Sequence, residues 1–134
     1  MPVDEHILGF SNRWYPAAIE TAQTLQIAGH EVRVVTPALF IATKLDAFHG
    51  RGGGDIVASH DLEDIIAVVD GRPEIVNDVA AAGTAVRGYI GTEIRALLDE
   101  PSFIEALGGF LLPDAARQRR RSLLEGRLRS LSLP

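Results

Sequence analysis

The stretch Thr21-Ala-Gln-Thr-Leu-Gln-Ile-Ala-Gly-His-Glu-Val-Arg-Val-Val-Thr-Pro37 decides the fold. Gln23, Leu25 and Ile27 alternate onto one face, Gly29 sits in a turn, and Glu31 to Val35 is rich in Val. That pattern predicts an antiparallel hairpin with strands near 22–27 and 31–35. Pro16 to Ala22 can also start a helix, and the hairpin is the preferred reading of this region. Upstream, Asp4 to Tyr15 has no clear period and contains Gly9, Ser11 and Asn12, so it reads as a loop with a short strand around Ile7 and Leu8.

Downstream of the hairpin the period changes to that of a helix. Pro37 suits a first helical turn, and Ile41, Leu45 and Phe48 make an inward stripe, predicting a helix to about Phe48. Gly50 to Asp55 holds four glycines and reads as a loop. Ser59 or Asp61 caps the next helix, whose core face is Leu62, Ile65, Ile66 and Val69 and whose end is Asp70-Gly71. Pro73 opens a third helix closed by Gly83. A fourth spans roughly 85–98 with Val86, Ile90, Ile94 and Leu97 inward. Pro101 begins a fifth that Gly108 and Gly109 break, and Pro113 introduces an Arg-rich last helix with Leu124, Leu128 and Leu131 on one stripe. The expected fold class is α+β, a short antiparallel hairpin followed by a mainly helical bundle. One domain over 1–134 is expected, made of a strand-bearing front end (1–36), a helical body (37–112) and an Arg-rich C-terminal helix (113–134).

Composition bounds what such a chain does. With 134 residues it has material for one domain, and with 46% hydrophobic and 23% charged residues it reads as globular rather than disordered. No apolar run approaches the ~20 residues of a membrane span. Cysteine is absent and only four histidines occur, which excludes disulfides, a thiol nucleophile and a structural zinc cage. The acidic, short Met1 to Leu8 lacks the features of a secretion leader, and a cytoplasmic location is expected. The charge is uneven. Residues 1–112 carry seven Arg or Lys against 16 Asp or Glu, whereas 113–134 carry six Arg against two acids. The basic tail either touches nucleic-acid phosphates or pairs with the acidic body, and pairing is the preferred reading.

The densest polar set is Lys44, Arg51, Asp55, Ser59, His60, Asp61, Glu63 and Asp64. Lys44 shares a helix face with Phe48, and continuing that face brings Arg51 near, so two cations are available for a phosphate. Asp61 and Asp64 are neighbours at three residues' spacing, and His60 can meet Asp64 at four. A carboxylate there can take a proton from an acceptor hydroxyl, orient His60 as a base, or simply pair with Lys44. The glycines of Arg51-Gly-Gly-Gly-Asp55 lack the Lys-Ser/Thr ending of a phosphate loop and suit a chain reversal. His49, Arg72 and Arg87 read as isolated surface or capping residues. Trp14 and Tyr15 either stack on a base or seal an edge of the core, the latter being preferred.

The run Phe40-Ile-Ala-Thr-Lys44-Leu-Asp-Ala47-Phe48, followed by Arg51, Asp55 and Ser59-His-Asp-Leu-Glu-Asp64, resembles the later part of the AbiEii-like nucleotidyltransferases. These are relatives of abortive-infection toxins within the polymerase-beta-type superfamily. The similar tract covers about Met1 to Ala67, and the rest looks like the helical end of longer members. The resemblance implies a truncated nucleotidyltransferase fold that binds a nucleoside triphosphate with Mg²⁺ and moves a nucleoside monophosphate to an unknown acceptor. Lys44 corresponds to the lysine expected to hold the triphosphate, Arg51 to the basic residue after it, and Asp61 and Asp64 to the Asp-x-x-Asp motif. Catalytic roles then fall to Asp61, Asp64 and His60, and nucleotide-binding roles to Lys44, Arg51 and Asp55.

Family members also carry a Gly-Ser motif, two aspartates one residue apart and a third carboxylate, which together hold two divalent cations. This sequence has no Asp-x-Asp or Glu-x-Asp pair before Lys44. No metal ligands are therefore assigned, and the isolated chain is expected to be incomplete or inactive unless those carboxylates come from elsewhere. A non-catalytic nucleotide or RNA binder, or an oligomeric interaction protein, is the alternative. The partners implied are a second copy or a complementary chain across an exposed sheet edge, an RNA, or an antitoxin, with no membrane.

Overall fold

The computed structural model describes residues 12–50, 59–111 and 115–133. Asn12 starts the described chain by pinning it down. Its side-chain amide donates to the Thr43 carbonyl at 2.9 Å while its Oδ1 accepts the Trp14 N–H at 3.1 Å. This local turn aims helix α1 (Tyr15–Thr21), which carries Pro16 in its first turn and buries Ala18.

The helix and the hairpin weighed against each other for this region both form, one after the other. Ala22 turns extended, and strands β1 (Gln23–Ile27) and β2 (His30–Val34) pair antiparallel with Gln23 opposite Val34 and Ile27 opposite His30. The strands thus begin and end within a residue of expectation. Ala28 and Gly29 have φ of +51° and +81°, the two positive angles of the tight hairpin turn that matches strand twist. This register puts Leu25, Ile27, Val32 and Val34 on one face and Thr24, Gln26, Glu31 and Arg33 on the other. The apolar face stays open to solvent, with those four side chains 37–51% exposed. Arg33 ties the hairpin back by donating to the Ile19 and Ala22 carbonyls at the end of α1, at 2.9 and 3.2 Å. Among the described residues no helix packs broadly on the sheet.

The remaining elements are α2 (Pro37–Gly50), α3 (His60–Gly71), α4 (Ile75–Ala80), α5 (Thr84–Leu98), α6 (Pro101–Ala106), a 3₁₀ turn (Leu107–Phe110) and α7 (Arg117–Leu131). Helices α3, α4 and α5 each pack on both α2 and α7, so they form a middle layer between those two. Helix α2 therefore buries more than a single stripe: Ala38, Leu39, Ile41, Ala42, Leu45, Ala47 and Phe48 are all inside. The stripes read from sequence in α3, α5 and α7 are buried as expected, and Phe103 and Leu107 complete the core. Burying side chains such as these contributes ~1.5–3 kcal/mol each relative to exposure, offset largely by chain entropy.

Three boundaries differ from expectation. Pro73 lies in a turn, and α4 starts at Ile75, where the Ile75 N–H reaches the Arg72 carbonyl at 3.1 Å. Gly83, at φ +102°, leads into α5. Gly108 and Gly109 sit inside the 3₁₀ turn rather than ending all helical structure. The glycine-rich stretch 51–55, the strand expected at Ile7-Leu8 and Pro113 lie outside the described residues.

Candidate functional site

Lys44 is the only lysine of the chain. Because Ile41, Leu45 and Phe48 take the inward side of α2, Lys44 leaves the helix at the edge of the core, toward the first turn of α3. Its stem passes Phe40 one turn earlier, the ammonium lying 5.6 Å from that ring's centre.

The α3 end of the site is built by its cap. The Ser59 hydroxyl accepts the Leu62 N–H at 3.1 Å, which fixes the first turn and directs Asp61 and Asp64 toward α2. Lys44 Nζ lies 2.8 Å from Asp64 Oδ2 and 3.9 Å from Asp61 Oδ1. The two carboxylates differ in environment. Asp61 is buried, at 4% exposure, where the positive end of the helix dipole favours its charge. The Asp64 side chain is 47% exposed and free to exchange water for lysine. An ion pair this open adds ~0–1 kcal/mol to stability, so the Lys44–Asp64 contact is not what holds the bundle together.

The residues read as one site are only partly assembled. Lys44, Asp61 and Asp64 meet where α2 and α3 cross. His60 does not join them. Its Nδ1 lies 3.3 Å from Glu63, on the outer side of α3, with 92% of the side chain exposed, because Asp64 is turned toward Lys44. Arg51 and Asp55 lie outside the described residues. With Lys44 positive and both aspartates ionised, the cluster carries one net negative charge. A phosphate approaching Lys44 competes with Asp64, the exposed partner. Among the described residues no group of three or more His, Asp or Glu is placed to hold a metal ion.

Other residues found partners that sequence spacing does not reveal. His49 pairs with Glu93 of α5, and Arg72 with Asp78 of α4, although both were read as isolated. Trp14 packs at the core edge as expected, but against Tyr89, with Arg13 over both rings. Burial, reinforced by Asp46 and Glu93 and opposed by Arg13, pushes the Tyr89 hydroxyl up to about 12.

The arginines of α7 mostly serve the fold. Arg120 pairs with Asp70, and Arg127 donates to the Val69 and Asp70 carbonyls at 3.0 and 2.8 Å, closing the C-terminal end of α3. Arg117 and Arg121 reach the Gly108 and Ile104 carbonyls, and Arg129 pairs with Glu125. The basic tail thus pairs with the body at Asp70 and otherwise mostly with backbone. No helix is long and apolar enough to cross a membrane among the described residues.

No family model matches the chain, and no curated protein or solved structure matches it significantly.

Proposed function

We propose that this chain contributes the lysine and aspartate side of a nucleotidyltransferase-like site, which takes up a nucleoside triphosphate and becomes competent only with metal-binding carboxylates that residues 1–134 do not supply. The observation that supports this reading is the meeting of Lys44 with Asp61 and Asp64, residues the resemblance assigned to one site. In this reading the triphosphate replaces Asp64 at the Lys44 ammonium while buried Asp61 keeps that ammonium in place. The released Asp64 carboxylate then accepts the proton of the acceptor hydroxyl as its oxygen attacks the α-phosphorus and pyrophosphate leaves. Arg51 and Asp55 would complete the nucleotide contacts. His60, which faces solvent, has the weakest claim to a role.

A second reading is an interaction protein that joins another chain through its hairpin, and it draws on the open face of Leu25, Ile27, Val32 and Val34. Two strands alone are marginal in water, and another strand or layer would stabilise them. Binding of RNA through α7 has less support, since Arg117, Arg120, Arg121, Arg127 and Arg129 already serve partners within the chain.

Calorimetric titration with each nucleoside triphosphate, in Mg²⁺ or Mn²⁺, tests the first reading. Binding that weakens at least tenfold in Lys44→Ala is the expected result. Absence of binding by all four nucleotides at millimolar concentration overturns the pocket, and a stable dimer without nucleotide affinity would favour the second reading.

A further inference from the structure

A different site lies between the start of α1 and the helices α2 and α5. The rings of Trp14 and Tyr89 stand 5.1 Å apart, centre to centre, tilted by 52°. The Arg13 guanidinium carbon lies 4.1 Å from the centre of Tyr89 and 5.4 Å from that of Trp14. Asp46 accepts the Arg13 backbone N–H at 3.2 Å. Glu93, held by His49, borders the same notch, a cavity of about 450 Å³ that Arg13, Trp14 and Tyr89 also line.

Two aromatic rings beside the Glu93 carboxylate suit a guanidinium or alkylammonium, and Arg13 demonstrates that a guanidinium fits. Arg13 nevertheless leaves one polar group of Trp14 unpaired. The indole N–H of Trp14 is buried with no hydrogen-bond partner, and a guanidinium has only donors to offer it. An arginine within a peptide brings both the cation and a neighbouring carbonyl acceptor. Long-range charge agrees, because residues 1–112 carry seven cations against 16 acids and so attract a basic partner while repelling a polyanion.

We propose that the notch lined by Trp14, Tyr89 and Glu93 docks an arginine from a basic segment of another protein, and that Arg13 occupies it until that segment arrives. Binding is thus a competition between a tethered and an incoming guanidinium, and removing the tethered one raises the affinity for the other.

Trp14 is the only tryptophan, so its fluorescence reports directly on the notch. Titration with acetyl-arginine amide is expected to give a saturable change in Arg13→Ala at a concentration at least tenfold lower than in the natural protein. Adding Tyr89→Leu to that variant is expected to abolish the change. Arg13→Gln carries the same expectations should the alanine variant lose its fold by circular dichroism. A folded variant with no saturable response, or with one that survives Tyr89→Leu, overturns the proposal. So does a saturable response to oligouridylate in place of acetyl-arginine amide.

Discussion

Leu62 and Ile90 in the bundle are sealed from water, whereas Leu25 and Ile27 in the hairpin, built from the same residue types, remain about half exposed. Helices α3, α4 and α5 each find neighbours on two sides, so every apolar stripe meets another. The hairpin is formed by its own ladder and turn, and no helix packs broadly on its apolar face among the described residues. Local pattern is enough to make an element, while its share of the stability depends on what covers it.

The sharpest test of this contrast is a matched pair of truncations followed by urea denaturation. Leu62→Ala is expected to cost ~2–5 kcal/mol, since it hollows a closed layer. Leu25→Ala is expected to stay within about 0.5 kcal/mol for the chain alone. An equal cost at both positions would mean that the hairpin is as integrated as the helices.

A smaller effect separates two glycines of α5. At Gly88 a methyl group meets nothing within 4 Å, whereas at Gly91 it comes 3.3 Å from the Leu131 carbonyl oxygen of α7. Gly88→Ala is expected to raise stability by about 0.5–1 kcal/mol through helix propensity alone. Gly91→Ala is expected to lower it by about 1 kcal/mol as α7 is pushed away. Thermal melts of the two variants shifting in the same direction would argue against close packing of α5 on α7.

The most local change is expected at the hairpin turn. Ala28→Asn supplies the residue that best tolerates the positive φ before Gly29 and is expected to gain about 0.5–1 kcal/mol locally. Amide exchange should slow in β1 and β2 with the bundle's melting temperature unchanged. A matching rise in that temperature would show that the two regions unfold together.

The same contrast explains what the amino-acid sequence made legible. Stripes such as Leu62, Ile65, Ile66 and Val69 repeat within one helix, so their burial follows from periodicity. The hairpin's alternation likewise gave its strands, but alternation cannot say whether the apolar face has a neighbour. Pairing with Lys44 stood as one of three open roles for the carboxylates of α3, because no local rule connects α2 to the start of α3. His60 misled because four-residue spacing permits a meeting with Asp64 that Lys44 already claims. The Arg13–Tyr89 and His49–Glu93 pairs carry no spacing signal, since each joins elements whose packing is decided by other residues.

Arg127 of α7 holds the last carbonyls of α3, yet it follows Gly71 by 56 residues in the chain. At a synthesis rate of ~5–20 residues per second, α3 emerges roughly 3–11 s before the group that closes its far end. During that interval Leu62, Ile66 and Val69 have α2 beside them but not α7. The nascent chain therefore offers a greasy half-core to chaperones, and slow codons between α3 and α7 would lengthen that offer without altering a single residue of the finished protein.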